Sequence, residues 1–287
     1  MIDASFLNQL DRFNILIRKR VNSNYTGARF SVAHGRGIVI KDHRIYTPGD
    51  DFRAIDWKVY ARTDKLHIKK YEEERNLSVH IILDASSSMD FGKPTTKFEY
   101  SAMLALGFAY LALKNNEKIQ YCTFNETMNL FRPRRGVSQI LGMLDHFNSM
   151  KPAGVSKMQE SIEKYKKTVK NKSYIVIFSD FLIDIAEIKK ALMRLSAGEH
   201  EVVAVQVLDK SEINLKLEGD LRLHDSETRS VMRTFMTERM KQEYKDKLKM
   251  HIMAVEKECD LLGIRFKLVS TNVPLFDVFY DLFVFKK

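Results

Sequence analysis

The chain alternates short apolar runs with amphipathic segments over most of its length. Apolar runs rich in Val, Ile and Phe predict four strands, at Val79–Leu83, Ile119–Phe124, Tyr174–Phe178 and Val202–Leu208. Apolar residues at helical spacing predict helices at 97–115, 138–148, 158–170 and 185–196. Strands that are apolar throughout and alternate with helices are typical of a mainly parallel sheet covered on both faces. We therefore predict an α/β fold with a doubly wound sheet.

The two ends of the chain show other patterns. Residues 3–20 predict an amphipathic helix, and residues 26–71 form short apolar pieces broken by Gly and Pro, which predict short strands and turns. Toward the other end we predict a long helix from Ser230 to Leu262, a strand from Ile264 to Val269 and a closing helix from Pro274 to Phe283. We therefore divide the chain into residues 1–75, an N-terminal helix and small β-rich subdomain, and residues 76–287, the larger α/β domain.

Composition narrows the class of protein. With 287 residues, of which 45% are hydrophobic, the chain can bury a large core. It has no apolar stretch of the roughly 20 residues that span a membrane, and its first residues do not resemble a secretion signal, so we expect a cytoplasmic protein without a transmembrane segment. The net charge of +10 comes from scattered basic groups, which we interpret as solvated faces. Nucleic acid is therefore not an expected partner.

Three further residues are interpreted as core. Cys122 falls in a predicted strand and Cys259 in a predicted helix, and neither has a Cys or His at ligand spacing. We predict buried free thiols, not a zinc site or a disulfide. His80 lies within a predicted strand and is expected to be packed in the core.

A D-x-S-x-S motif follows directly after the first predicted strand, with Asp84, Ser86 and Ser88 as its oxygen-bearing residues. Carboxylate and hydroxyl oxygens are the ligands that Mg²⁺ and Ca²⁺ prefer, and Mg²⁺ takes few protein ligands. The carboxyl ends of parallel strands meet at one edge of the sheet, where open α/β folds bind ligands. We therefore predict a divalent metal site at this edge. A plain loop that caps the next helix is the alternative interpretation.

Two more residues fall at corresponding positions in the pattern. Asp180 follows the predicted strand Tyr174–Phe178, and Ser156 lies in a Gly-Val-Ser turn just before a predicted helix. Taken singly, Asp180 is also explained as a turn residue and Ser156 as a helix N-cap. Three oxygen-bearing loops at successive strand-to-helix turns favour one shared site.

Together, Asp84, Ser86, Ser88, Ser156 and Asp180 resemble the metal-ion-dependent adhesion site of von Willebrand factor A-like domains. Further segments resemble the signature of the bacterial family called domain of unknown function 58, namely Tyr46–Trp57, Ala61–Thr63, Tyr71–Arg75, His224–Thr228 and Ser270–Asn272. The resemblance covers nearly the whole chain. It implies a von Willebrand factor A-like, doubly wound, mainly parallel sheet with helices on both faces, plus a small N-terminal β-rich subdomain.

The resemblance also implies a function. The hydroxyls of Ser86, Ser88 and Ser156 would approach a Mg²⁺ ion directly, with Mn²⁺ or Ca²⁺ as alternatives, and Asp84 and Asp180 would act partly through water. The ion would accept a carboxylate from a protein partner, and the implied partner is a MoxR-type AAA+ ATPase in a chaperone-like or assembly role. The chain departs from the pattern in two ways. Val155 precedes Ser156 where small glycines usually precede a Thr, and the N-terminal membrane helices of many relatives have no counterpart here.

Other functional classes have less support in the sequence. Ser87 is not in a G-x-S-x-G motif and no histidine lies near it to act as a base, so we do not expect an enzyme. The alternative is a metal-dependent phosphohydrolase or a nucleic-acid-binding protein, suggested by the same carboxylates and the positive charge. A third hypothesis is a degenerate metal site in a purely structural scaffold.

The signature segment before the first sheet strand has its own predicted roles. Pro48-Gly49, followed by two aspartates, predicts a tight turn. Trp57 is expected in the core. Charged pairs that join the small region to the first sheet strand are expected among Arg53, Asp56, Arg62 and the run Glu72–Arg75. A docking surface beside the cleft is the alternative interpretation of these charges.

Overall fold

A computed structural model describes residues 34–72, 78–169, 171–198, 200–215, 219–224 and 231–284. The described residues fall into two compact units, 34–72 and 78–284. The helix predicted over residues 3–20 lies outside the described residues. So do residues 73–75 and 225–228, which belong to the family-like segments.

The small unit is an antiparallel strand pair with a short helix between its strands. Its elements are β1 (His34–Ile45), α1 (Trp57–Thr63) and β2 (His67–Glu72). The predicted turn at Pro48-Gly49 is confirmed, because the Asp50 amide donates to the Thr47 carbonyl at 3.1 Å and Gly49 has a φ of +105°. The Asp56 carboxylate accepts from the amides of Lys58 and Val59 and so caps α1.

One prediction for this unit is wrong. Trp57 is 60% exposed, since α1 has only seven residues and the buried side chains of the unit include Ile55 and Ile68 instead. The Asp56 carboxylate lies 2.9 Å from the His43 ring nitrogen. Arg44 makes a bidentate contact with Asp50, at 2.6 and 2.7 Å. The charged pairs expected between this region and the first sheet strand stay a prediction.

The large unit follows the predicted alternation of strands and helices. Its strands are β3 (Ser78–Asp84), β4 (Lys118–Phe124), β5 (Met128–Leu130), β6 (Ser173–Ser179), β7 (Glu201–Leu208), β8 (Gly219–His224), β9 (Val231–Met236) and β10 (Arg265–Ser270). Its helices are α2 (Lys97–Lys114), α3 (Val137–Ser149), α4 (Met158–Lys166), α5 (Ile185–Ser196), α6 (Lys210–Ile213), α7 (Glu238–Leu261) and α8 (Leu275–Val284). Among the described helices, none is long and apolar enough to cross a membrane.

Six of these strands form one sheet in the order β10-β7-β6-β3-β4-β5, and all neighbours are parallel except β4 and β5. The first of these six strands in chain order, β3, therefore lies inside the sheet, with β4 on one side and β6 on the other. Strand order reverses at β3, which is the topological switch point where doubly wound sheets bind ligands. The predicted α/β fold with a doubly wound, mainly parallel sheet is confirmed.

Alternation along the strands supplies one apolar layer to each face of the sheet. On β3, Ile81 and Leu83 pack in the layer that includes α2, α3 and α8, and Ile82 packs in the layer that includes α4, α5 and α7. Both layers are almost wholly buried. Cys122 lies buried in β4 and Cys259 buried in α7, and both thiols are free, as predicted.

Two local predictions need correction. The segment Val231–Met236, predicted as the start of a long helix, is strand β9 and pairs antiparallel with β8. Its β-branched and aromatic residues favour a strand, and the helix α7 begins only after Thr237, whose hydroxyl accepts from the Met240 amide. The short antiparallel strand β5 at the edge of the sheet was not predicted.

A glycine lets helix α8 pack closely against helix α2. A Cβ built at Gly107 would lie 2.0 Å from the Phe279 ring, and Phe279 is fully buried. The buried face of α2 is therefore complementary to a ring on α8, and there is no space for even one more methyl group.

We expect Gly107→Ala to lower the free energy of unfolding by about 1–3 kcal/mol, because the Phe279 ring must leave its position. The matched control is Gly142→Ala in α3, where nothing lies within 4 Å of the added Cβ. This control should raise stability by about 0.5–1 kcal/mol through helix propensity. Urea denaturation measures both. Equal effects of the two substitutions would contradict the proposed packing.

His80 on β3 is buried, and its Nδ1 lies 2.7 Å from the Tyr165 hydroxyl oxygen. Burial lowers the pKa of His80 from 6.5 to about 4, with a smaller contribution from the charge of His200. The prediction of a packed core histidine is confirmed.

We expect His80 to make folding sensitive to acid. Because its pKa is lower in the folded state, its contribution is complete above pH 6.5 and is lost as the pH falls toward 4. The loss is about 3 kcal/mol. In urea denaturation curves recorded between pH 4 and 6.5, His80→Gln should remove the pH dependence that comes from His80. His67→Gln is the control, since it removes a histidine elsewhere in the chain. An unchanged pH slope in His80→Gln would show that His80 is not the acid-sensitive group.

Candidate metal centre

Asp84 is the last residue of β3, at the switch point of the sheet, and its side chain is completely buried. One carboxylate oxygen, Oδ1, accepts from the Ser86 amide at 2.9 Å. The other, Oδ2, accepts from the hydroxyls of Ser156 at 3.1 Å and Ser179 at 2.7 Å. Donors from two loops and from the end of β6 therefore converge on one buried carboxylate.

The loop after Asp84 brings the two motif serines together. Ser86 is buried, and its hydroxyl oxygen lies 3.1 Å from that of Ser88, which lies in the short 3₁₀ turn Ser87–Asp90. The Ser86 side chain makes no N-cap hydrogen bond to that turn. The Ser86 hydroxyl therefore lies within the polar cluster and does not cap the turn through its side chain.

The loop that carries Ser156 is held against the motif loop by backbone hydrogen bonds. The Ala153 amide donates to the Ala85 carbonyl, and the Ser87 amide donates to the Gly154 carbonyl, both at 2.9 Å. Lys157, not Ser156, is the N-cap residue of α4. The N-cap interpretation of Ser156 is wrong, because this hydroxyl donates to Asp84 instead. The unusual Val155 is partly exposed and does not prevent this contact.

Asp180 follows β6, the neighbour of β3, and its side chain is buried. Its Oδ1 accepts from the Leu182 amide at 3.2 Å, and its Oδ2 accepts from the Lys97 ammonium at 2.8 Å. The next residue, Phe181, has a φ of +51°, which is a strained conformation for an aromatic residue. Two contacts stabilise this backbone conformation. The Ser179 hydroxyl accepts from the Phe181 amide, and the His251 ring lies 2.6 Å from the Phe181 carbonyl.

The structure thus places all five predicted residues at the carboxyl edge of β3 and β6. Hydrogen bonds link Asp84 directly to Ser156 and to the backbone of Ser86, and Ser86 to Ser88. The negative charge of Asp180 is close enough to raise the pKa of Asp84, so we include Asp180 in the cluster. Its own hydrogen bonds go to Lys97 and the Leu182 amide.

Three residues of the cluster were not predicted from the sequence. They are Ser179, which donates to Asp84, and the pair formed by Lys97 and Glu212, whose side chains meet at 2.8 Å. The sequence could have pointed to Lys97, because a lysine in the first turn of a predicted helix is disfavoured by the helix dipole and suggests a specific partner. Glu212 and Ser179 carry no such signal, since their partners are far away in the chain.

The electrostatics of the cluster favour a bound cation. Burial, and then the charge of Asp180, raise the pKa of Asp84 to about 6, against the opposing effect of its hydrogen bonds to Ser179 and Ser86. Two buried carboxylates close to each other are costly for the protein alone. A divalent ion would offset both the desolvation and the repulsion.

The donor set fits a hard divalent ion. It offers two carboxylates and the hydroxyls of three serines, which are the oxygen ligands that Mg²⁺ and Ca²⁺ take. Among the described residues, no group of three or more His, Cys, Asp or Glu side chains could hold a metal. An ion in this cluster must therefore depend on the serine hydroxyls, which suit Mg²⁺ better than zinc.

A polar cavity of about 500 Å³ lies beside the cluster, at the ends of β7 and β10. Asp209 lines it, and its carboxylate accepts from the Thr271 hydroxyl at 2.7 Å and from the Ser211 hydroxyl at 2.6 Å. Exposed Lys93 and Lys210 also line the cavity. Glu212 connects the two features, since it accepts from both the Asp209 amide and Lys97.

Comparison with known proteins gives a family and a set of similar folds. The model of the family described as "Protein of unknown function DUF58" matches residues 42–254. The uncharacterized protein Rv1480 of Mycobacterium tuberculosis is 28% identical over 238 residues, which are 81% of this chain and 74% of that protein. The uncharacterized protein YeaD of Bacillus subtilis is 25% identical over 135 residues, which are 47% of this chain and 32% of that protein.

Solved structures with a similar fold include BatB from Bacteroides thetaiotaomicron, which is 16% identical with a TM-score of 0.41. That match covers 65% of this chain and 98% of BatB. Another is the VWA domain of SpRpn10, which is 13% identical with a TM-score of 0.44 and is matched over 72% of this chain and 94% of that domain.

We expect Asp84→Asn to stabilise the metal-free protein at neutral pH, by up to about 3 kcal/mol, because a neutral amide avoids the cost of a buried charge beside Asp180. The raised pKa of Asp84 fixes the sign of the pH dependence. Its contribution is complete below pH 3.8 and is lost as the pH rises through about 6, opposite in sign to that of His80.

The measurement is urea denaturation in EDTA at several pH values, with wild type, Asp84→Asn and the surface control Asp145→Asn. Between pH 3.8 and 6 the stability of Asp84→Asn should rise more steeply with pH than that of wild type, because the opposing contribution of Asp84 is gone and that of His80 remains. Strong destabilisation of Asp84→Asn at neutral pH would mean that the hydrogen bonds to the carboxylate outweigh the cost of burying it.

Proposed function

The chain belongs to the family described as protein of unknown function DUF58, and from the geometry of its site we propose that it is a divalent-metal-dependent protein-interaction module. The observation that carries this proposal is the convergence of Ser86, Ser156 and Ser179 on the buried Asp84 carboxylate at the switch point of the sheet. Such a cluster is costly without a cation and supplies too few ligands to saturate one.

The ion would be held by Asp84, Ser86, Ser88, Ser156 and Asp180, with Mg²⁺ as the expected metal and Mn²⁺ or Ca²⁺ as substitutes. When bound, it supplies a coordination position for one more oxygen ligand. The residues of the chain orient the ligand oxygens and exclude bulk water, since Asp84, Ser86, Ser156 and Asp180 are all buried. We propose that the incoming oxygen is a carboxylate of a partner protein.

The polar cavity beside the site offers room for partner residues that flank this carboxylate. Lys93 and Lys210 give its rim a positive charge, which favours an acidic segment over a basic one. The partner that we propose is a MoxR-type AAA+ ATPase, as the family resemblance implies, acting with this chain in a chaperone-like or assembly role. A cytoplasmic location accompanies this proposal, because such a partner consumes ATP.

We expect the purified chain to bind its MoxR-type ATPase in Mg²⁺ and to lose at least tenfold in affinity in EDTA, measured by biolayer interferometry. Asp84→Asn and Ser86→Ala should lose the same affinity in Mg²⁺, because each removes an oxygen of the metal site. The matched control is Ser149→Ala, whose hydroxyl bonds only within its own helix turn, and it should bind as wild type does.

Binding that is equally tight in EDTA and in Asp84→Asn would remove the metal from the interaction. A Mg²⁺-dependent release of phosphate from a phosphoester that is lost in Asp180→Asn would instead support the alternative of a metal-dependent phosphohydrolase. Steeply salt-dependent binding of nucleic acid would support the nucleic-acid-binding alternative.

A further inference from the structure

Lys97 places a positively charged side chain inside the candidate metal centre. Its side chain is 1% exposed, and its ammonium lies 2.8 Å from Asp180 Oδ2 and 2.8 Å from Glu212 Oε1. A metal ion would therefore compete with Lys97 for Asp180, because the carboxylate that would bind the ion already accepts a hydrogen bond from the lysine.

The position of Lys97 is electrostatically costly in two respects. A buried ammonium loses its hydration, and a cation in the first turn of a helix meets the positive end of the helix dipole. The two carboxylates therefore have to hold it in place. Glu212 is itself fixed, because its Oε2 accepts from the Asp209 amide at 2.7 Å as part of the capping box of α6.

We propose that Lys97 is an internal counter-ion that shares Asp180 with the divalent metal and thereby sets the metal affinity of the site. This inference rests on the proposed function. Without metal, the lysine neutralises Asp180. When the ion binds, it takes over part of that role, and Glu212 retains the ammonium of Lys97.

The proposal gives opposite signs for substitution of the two partners. Lys97→Met removes the competing charge from Asp180, so the site should bind Mn²⁺ about tenfold more tightly. Glu212→Gln removes the carboxylate that draws Lys97 away from Asp180, so the site should bind Mn²⁺ about tenfold more weakly. If Glu212 acts through Lys97, Glu212→Gln should change the Mn²⁺ affinity little in the Lys97→Met background. The effects of the two substitutions on affinity would then be non-additive.

The test is calorimetric titration of the metal-free chain with Mn²⁺ at neutral pH for wild type, Lys97→Met, Glu212→Gln and the double variant. Lys118→Met and Glu201→Gln, which change exposed residues at the amino ends of β4 and β7, control for loss of charge alone. Both controls should bind Mn²⁺ within about twofold of wild type.

Thermal unfolding supplies a readout that does not depend on a partner. Lys97→Met leaves two buried carboxylates without their cation, so it should unfold below wild type in EDTA, and saturating Mn²⁺ should raise its midpoint more than that of wild type. If Lys97→Met does not fold, Glu212→Gln still tests the proposal. In Glu212→Gln the ammonium of Lys97 keeps Asp180 as its partner, so this variant is expected to fold. Wild-type affinity in Glu212→Gln would then overturn the proposal.

The outcomes separate this inference from the proposed function. Wild-type binding of Mn²⁺ with unchanged affinity in Lys97→Met and Glu212→Gln overturns the role of Lys97 and leaves the metal-dependent function intact. Binding in Lys97→Met but not in wild type supports the competition and overturns the metal dependence of the natural chain. No binding in any variant overturns both.

Discussion

The burial of one carboxylate organises the centre of this protein. Asp84 has no exposure to water, so its charge must be stabilised by nearby donors or by a cation. It draws donors from the motif loop, from the Ser156 loop and from the end of β6. The Ser179 hydroxyl that donates to Asp84 also accepts from the amide of Phe181, whose backbone is strained.

The sheet makes the cluster rigid. The strands β3 and β6 are apolar on both faces, and the two helix layers fix them against movement. Their parallel pairing sends the chain into loops at the same edge, and the change in strand order between β4 and β6 opens space there. The core therefore positions Asp84 and Asp180 at the strand ends, whereas the hydroxyls of Ser86, Ser88 and Ser156 lie on the loops beyond them.

A chain of charged and polar contacts extends the cluster sideways across the sheet. It runs from Asp180 through Lys97 to Glu212, then to the Asp209 amide, and from the Asp209 carboxylate to Thr271. The segment Ser270–Asn272, one of those that resemble the family signature, thereby gains a physical role, because its threonine ties the end of β10 to the wall of the polar cavity. This network spans four strand ends, of which the sequence motif marks only the central part.

Hydrophobic periodicity by itself determined the four central strands, the helices that cover them and the edge at which Asp84 and Asp180 emerge. It also placed Ser156 in a loop that reaches this edge. Tertiary structure alone decided that Ser156 bonds Asp84 and does not cap α4, that Trp57 stays exposed, and that residues 231–236 pair with β8 instead of extending α7. It also brought Lys97 to Asp180, 83 residues away, and to Glu212, 115 residues away. Periodicity reports the burial of one face of a local segment, which neighbouring residues encode together. The pairing of charges depends on which strand ends lie side by side, and that order is fixed only when the whole sheet assembles.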